Sequence, residues 1–164
     1  MNESIAILWD IENVTPAPNT LFVDGLQDFA ESFGRVVSAR AYCDWGSRTY
    51  SKLGPVLARH HFYLVHVPSE RKKKNSSDIQ LVSDTLELLN MYGHIETFLL
   101  VTGDSDFRPL LVALRRSGKR VHVVCDLKTA SQDLLALADS FVDYRELIPG
   151  GEDTPEDVPA GAPL

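Results

Sequence analysis

Long hydrophobic runs are missing from this chain: Ile5-Ala6-Ile7-Leu8-Trp9 and Phe98-Leu99-Leu100-Val101 both stop well short of a membrane span. A transmembrane helix needs roughly 20 apolar residues, and no basic segment precedes the first run as a signal peptide would require. The chain therefore reads as soluble and cytoplasmic. Cysteine is scarce too. Cys43 and Cys125 are the only two, at the ends of separate apolar runs, which excludes a disulfide framework and a cysteine-type zinc site. Positive charge is in deficit, with a net charge of −7, and at first sight this argues against a nucleic-acid partner. Internal repeats are absent as well, which excludes a solenoid.

The deficit is unevenly spread. Residues 149–164 hold Glu152, Asp153, Glu156 and Asp157 and no base, leaving 19 of the 23 acids against 16 bases in the rest of the chain. If four of those acids hold divalent cations, the working surface is close to neutral or positive. The chain divides accordingly into one domain over residues 1–148 and an acidic, Pro/Gly-rich tail or linker over 149–164. A further domain beyond the tail and a homo-oligomer both stay open.

What is present is a repeated pattern of short apolar runs ending in aspartate. Ile5 to Trp9 ends in Asp10, Val36 to Cys43 in Asp44, Phe98 to Val101 in Thr102-Gly103-Asp104-Ser105-Asp106, and Val121 to Cys125 in Asp126. Unbroken apolar runs suit strands buried on both faces of a parallel sheet. Ligands of such sheets bind beyond the carboxyl ends of the strands, where these acids fall.

Helical patterns alternate with the runs. Leu21, Phe22, Leu26, Phe29 and Phe33 follow a helical period, with Asn19 or Thr20 as cap and Gly34 as the C′ residue. A short helix is expected around Pro55 to Arg59, then a strand over Phe62 to Val67. A long helix follows Ser76 and Ser77, with Asp78 in its first turn, Ile79, Val82, Leu86 and Leu89 on its apolar face, and Gly93 at its end. Ser105 or Asp106 is expected to cap the next helix, which Gly118 closes. A helix from about Ser131 to Ala138 and a short Phe141 to Tyr144 segment complete the domain. Strands alternating with helices predict a three-layer α/β/α sandwich on a mainly parallel sheet.

Four motifs in this order carry a resemblance: Asp10-x-Glu12-Asn13 after the first strand, Lys74-Asn75-x-x-Asp78 opening a helix, Thr102-Gly103-Asp104-Ser105-Asp106-Phe107, and Gly118-Lys119-x-Val121. Together they resemble an NYN domain of the LabA-like branch within the PIN-like nuclease superfamily, over roughly residues 4 to 145. The resemblance implies strand order 3-2-1-4-5, an acid cluster that binds Mg²⁺ or Mn²⁺, and hydrolysis of phosphodiester bonds, usually in RNA. Carried over by position, the metal-binding residues are Asp10, Asp78, Asp104 and Asp106, with Asn13 and Thr102 as supporting groups.

The residue types suit that chemistry in their own right. Hard oxygen ligands from several strand ends fit Mg²⁺, which keeps part of its water shell. Each residue also has a plainer use: Asp106 as a helix cap, Asp78 as a first-turn acid that the helix dipole favours, Glu12 as a solvent-facing group. Asp10, after an apolar strand, is hardest to explain structurally, because a buried unpaired acid is costly. Asp84 lies on another face of the helix from Asp78. Arg71, Lys72, Lys73 and Lys74 precede the acid-bearing helix, where a phosphate backbone would meet them. Arg48, with Trp45 and Tyr50, could contact single-stranded or loop regions of RNA, although covering the sheet edge is the other use of Trp45. His60, His61, His66 and His122 lie in or beside core segments and read as structural.

The leading reading is a metal-dependent ribonuclease, with endonucleolytic cleavage. A non-catalytic RNA-binding or regulatory module with the same fold is the alternative. A haloacid-dehalogenase-like phosphatase would make Glu12 its second strand-one acid, and the chain has no room for its cap domain.

Overall fold

A computed structural model describes residues 3–69 and 76–151. The apolar runs form six parallel strands in one sheet: β1 (Glu3–Asp10), β2 (Gly34–Cys43), β3 (Tyr63–His66), β4 (Ile95–Val101), β5 (Arg120–Cys125) and β6 (Ser140–Asp143). Their order is β3-β2-β1-β4-β5-β6, so the expected five-strand order holds and the Phe141 segment adds a sixth strand at the edge. The chain builds outward from β1 through β2 to β3, then returns to the other side of β1 with β4. The carboxyl ends of β1 and β4 therefore flank the point where strand order reverses.

Strand β1 is buried on both faces, and its alternating residues divide the core. Ile5, Ile7 and Trp9 pack with helices α1 (Phe22–Glu31) and α2 (Leu53–Arg59). Ala6 and Leu8 face α3 (Ser76–Met91), α4 (Arg108–Arg116) and the short α5 (Gln132–Leu135). The result is the expected three-layer sandwich. On the α1 side, Trp9 meets the rings of Phe22 and Phe62 edge-on, with centroids 5.3 and 6.0 Å away.

Several local expectations are corrected. Helix α1 starts at Phe22 without a side-chain cap; the Thr20 hydroxyl instead donates to Ala17 O at 2.8 Å and closes the preceding turn. Gly34 opens β2, and its need for glycine is proximity: a Cβ there would lie 2.1 Å from Glu3 O. The cap after β4 is neither Ser105 nor Asp106. It is Asp104, whose carboxylate accepts from Asp106 N–H at 2.8 Å at the head of the 3-10 turn Ser105–Phe107.

The largest correction concerns α3. Its buried positions are Leu81, Thr85 and Leu88; of the expected face, Val82 and Leu89 are half-buried against the core, while Ile79 is 69% and Leu86 36% exposed. The buried stripe contains a threonine whose hydroxyl donates to Leu81 O at 2.7 Å, so a polar residue is satisfied inside the core and disguises the stripe in the sequence. Asp84, on the sheet-facing side, accepts from Tyr42 OH at 2.7 Å and lies 3.3 Å from Arg40, which anchors α3 to β2.

Gly25 is fixed by packing of α1 on the 3-10 turn Tyr144–Leu147, since a Cβ there would sit 1.7 Å from Leu147 O. Gly25→Ala is expected to destabilise the fold by about 1–3 kcal/mol, read as a lower urea midpoint at unchanged slope. A midpoint equal to the parent's would show that this packing is not tight in solution.

Candidate active site

The turn after β1 is held by its own backbone. Asn13 and Val14 N–H both donate to Asp10 O, at 3.1 and 3.3 Å, and the Trp9 indole N–H donates to Val14 O at 2.9 Å. That turn aims Asn13 across the sheet, where its Oδ1 accepts from Gly103 N–H at 2.5 Å. Gly103 O in turn accepts from Ser131 N–H at 2.9 Å, and a Cβ on Gly103 would lie 2.8 Å from the Ala130 Cβ. Glycine is required at 103 because the loops after β4 and β5 close on each other there.

Thr102 links the two strand ends. Its hydroxyl lies 3.4 Å from Asp10 Oδ2, as donor, and accepts from Asp104 N–H at 3.2 Å. The same hydroxyl thus orients one acid and holds the backbone of the next. Asp78 arrives from the first turn of α3. Carboxylate oxygens of Asp10, Asp78 and Asp104 all lie within 4.8 Å of one another.

The cluster is electrostatically strained without a cation. Asp10 is only 4% exposed, and its Oδ1 is buried with no hydrogen-bond partner among the described residues. Burial first, then the charges of Asp78, Glu12 and Asp104, push the Asp10 carboxyl up to about 8. Asp78 is pushed up to about 6, again by burial first and then by Asp104, Asp106 and Glu12. One orphaned oxygen beside two further carboxylates, with hard oxygen donors only, fits a divalent cation of the Mg²⁺ or Mn²⁺ type.

The remaining candidates divide clearly. Asp106 is exposed and stands outside the group of three, although its charge reaches Asp78. Glu12 faces solvent. Asp44 and Asp126, at the same sheet edge, are satisfied locally: Asp44 by the N–H groups of Gly46 and Ser69, Asp126 by Lys128 N–H and the Arg145 guanidinium. Arg71, Lys72, Lys73 and Lys74 lie outside the described residues. Arg48 is exposed. Trp45 covers the sheet edge, donating to Val65 O at 3.2 Å and packing on the core with Tyr50.

Of the five histidines, the four that read as structural fall at separate places. His122 stacks on Phe33 at 4.0 Å and His60 bridges Val56 O and Asp24. His66 meets Trp45 N–H, and His61 is exposed at φ 65° after α2. Both cysteines are free and buried, with thiols pushed up to about 12 by burial. Among the described residues no helix is long and apolar enough to cross a membrane.

The family model for the NYN domain matches residues 4–147. The chain belongs to the NYN family. NYN domains are members of the PIN-like nuclease superfamily, which makes this a nuclease-type domain with a nucleic acid as the class of substrate. A solved structure of similar fold is a protein of unknown function from Vibrio parahaemolyticus: 25% identity, TM-score 0.73, covering 90% of this chain and 96% of that one. No curated protein matches the chain in sequence. Among the described residues, the acid triad is the group of side chains that could hold a divalent ion.

Because folding raises the carboxyl pKa of Asp10 and Asp78, the folded metal-free protein binds more protons than the unfolded chain. Its stability should therefore increase as pH falls from about 8 towards the unfolded carboxyl value near ~4. A cation competes with those protons, so the rise in melting temperature given by Mg²⁺ should be larger at pH 8 than at pH 6. Asp10→Asn should leave the metal-free protein as stable as the parent or more so and remove the Mg²⁺ effect. Calorimetry across that range checks both, and a destabilised Asp10→Asn protein beside an ion-insensitive parent would make these acids structural.

Proposed function

We propose that this NYN domain is a divalent-metal-dependent ribonuclease that cuts phosphodiester bonds within RNA, using the Asp10, Asp78 and Asp104 carboxylates. The observation that carries this reading is the buried Oδ1 of Asp10, without a donor among the described residues, beside two further carboxylates within 4.8 Å. A structural role would satisfy that oxygen with a donor, as the backbone N–H groups do for Asp44. An ion site leaves it free.

Asp10, Asp78 and Asp104 would hold the cations, and Mg²⁺ or Mn²⁺ bound there supplies an activated water and charge neutralisation on the scissile phosphate. The chain's own residues do the positioning. Thr102 fixes the orientation of the Asp10 carboxylate through its hydroxyl. Asn13 sets the distance between the β1 and β4 turns by holding Gly103 N–H. Asp104 is immobilised by its own capping bond to Asp106 N–H, so it presents its second oxygen without rearrangement. Asp106, exposed beside them, extends the negative field that attracts cations. Arg71, Lys72, Lys73 and Lys74 would meet the phosphate backbone as it enters along α3, with Arg48 touching it further on.

Purified protein with Mg²⁺ or Mn²⁺ is expected to cleave RNA, to stop in EDTA, and to lose turnover on Asp10→Asn or Asp104→Asn. Thr102→Val, which keeps the shape and removes the hydroxyl, should cost about 10–100-fold in activity or ion affinity. Robust cleavage by both aspartate variants would overturn the assignment. Changing Lys72, Lys73 and Lys74 together to Ala should weaken RNA binding and reduce its salt slope by about one unit for each phosphate no longer neutralised. An unchanged slope would return the run to a solvated surface.

A further inference from the structure

The helix that supplies Asp78 also carries apolar side chains that the core leaves wholly or partly uncovered. Ile79, Ser83 and Leu86 are exposed at helical spacing on the side of α3 away from the buried Leu81, Thr85 and Leu88, and Val82, half-buried against the core, borders them. With Asp78 and Asp106 they line an open groove of about 640 Å³. The groove thus starts at a carboxylate of the triad and runs away from it along the helix.

We infer that this groove is the subsite for an unpaired nucleobase of the RNA strand whose phosphate lies at Asp10, Asp78 and Asp104. The inference rests on the nuclease reading and specifies its substrate as single-stranded at the cleavage site. Three properties select a base over other occupants. The first is continuity: Asp78 belongs to both the triad and the groove, so whatever brings a phosphate to the triad brings its neighbouring nucleoside to the groove mouth. The second is charge. Among the described residues the ionisable groups lining the groove are the carboxylates of Asp78 and Asp106, so a phosphate is repelled from their side of it while a neutral ring is not.

The third is surface chemistry. Ile79, Val82 and Leu86 offer an aliphatic wall on which a flat ring loses water from one face. Asp106 can accept a hydrogen bond from an exocyclic amino group, and Ser83 can donate or accept. A paired base reaches none of this: in a duplex its faces are stacked and its edge is occupied, so it must first leave the helix. The groove therefore makes the site selective for strands whose bases are already free.

The test compares a fluorescein-labelled single-stranded RNA with a set of the same RNA, each carrying one abasic residue. Anisotropy is read with Ca²⁺, which takes oxygen ligands as Mg²⁺ does, so binding does not depend on turnover. Parent protein should bind at least one abasic RNA about fivefold to tenfold more weakly than the intact RNA. The Ile79→Ser/Leu86→Ser double variant, altered only at exposed positions, should bind both RNAs at the weaker level while keeping the parent's melting temperature and its rise with Mg²⁺. Parent protein that ignores every abasic position, or binds no RNA, overturns the inference. So does an equal loss by the variant on both RNAs, or a parent dimer in sedimentation that the variant dissociates, which would assign the face to a second copy. Base discrimination by a parent that cuts no RNA with Mg²⁺ or Mn²⁺ supports the subsite and removes the nuclease reading alone.

Discussion

The carboxylate of Asp10 sits on the last residue of the central strand, 4% exposed, with one oxygen lacking a donor among the described residues and two more acids beside it. Burying one ionised carboxylate without a partner is costly, and gathering three raises that cost through mutual repulsion. The arrangement persists because it is imposed from outside the cluster. Strand β1 is packed on both faces between Ile5, Ile7 and Trp9 on one side and Ala6 and Leu8 on the other, so its end cannot move away. The free energy of that core exceeds what the acids could recover by separating. A proton shared between Asp10 and Asp78, or a cation, is the compensation open to them.

Position at the sheet edge does not by itself make an aspartate functional. The strands β1, β2, β5 and β6 each end in or run into an acid, and three of those acids are satisfied. Asp44 takes two backbone N–H groups, Asp126 takes Lys128 N–H and Arg145, and Asp143 takes Leu127 N–H and the same arginine. These bonds tie loops to strands and explain why the Asp44 and Asp126 carboxyls are held below the ordinary range. Asp10 differs in having a weak, long bond to Thr102 and, among the described residues, no donor on its other oxygen. What separates the two groups is the count of donors, which depends on how neighbouring loops fold.

That distinction explains which features were legible in the sequence. Apolar runs closed by Thr-Gly-Asp or by a lone Asp announce buried parallel strands, because few other structures bury both faces of a short segment. The alternation with helices then fixes the sandwich. Capping was harder. Asp104, Ser105 and Asp106 are all competent N-caps by type, and only the path out of β4 decides that Asp104 accepts the Asp106 N–H. Gly34 was open to misreading because a helix-ending glycine and one excluded by a neighbouring strand look alike without Glu3 beside it. For α3, the heptad-like set Ile79, Val82, Leu86 and Leu89 is more apolar than Leu81, Thr85 and Leu88. The helix nonetheless turns the second set fully inward and leaves Val82 and Leu89 at the border of the core, with Ile79 and Leu86 outside. Two anchors outweigh the hydropathy difference: Thr85 satisfies its own hydroxyl within the helix, and Asp84 binds Tyr42 and Arg40 on β2.

The rotation of α3 is what connects the scaffold to the chemistry. With Asp84 fixed over β2, the helix has one angular setting, and that setting carries Asp78 from the first turn to the ends of β1 and β4. Had the more apolar stripe turned inward, Asp78 would have been rotated off the cluster by the same angle, since residues on one helix move together. The apolar residues left outside are thus the geometric consequence of placing one acid, and they necessarily lie beside it. A helix chosen only for burial would have hidden Ile79 and Leu86; this one leaves them exposed because the polar contacts that hold its setting lie on its other side. The exposed apolar residues and the acid cluster are therefore set by a single degree of freedom, held by an ion pair and a tyrosine hydroxyl on the far side of the helix.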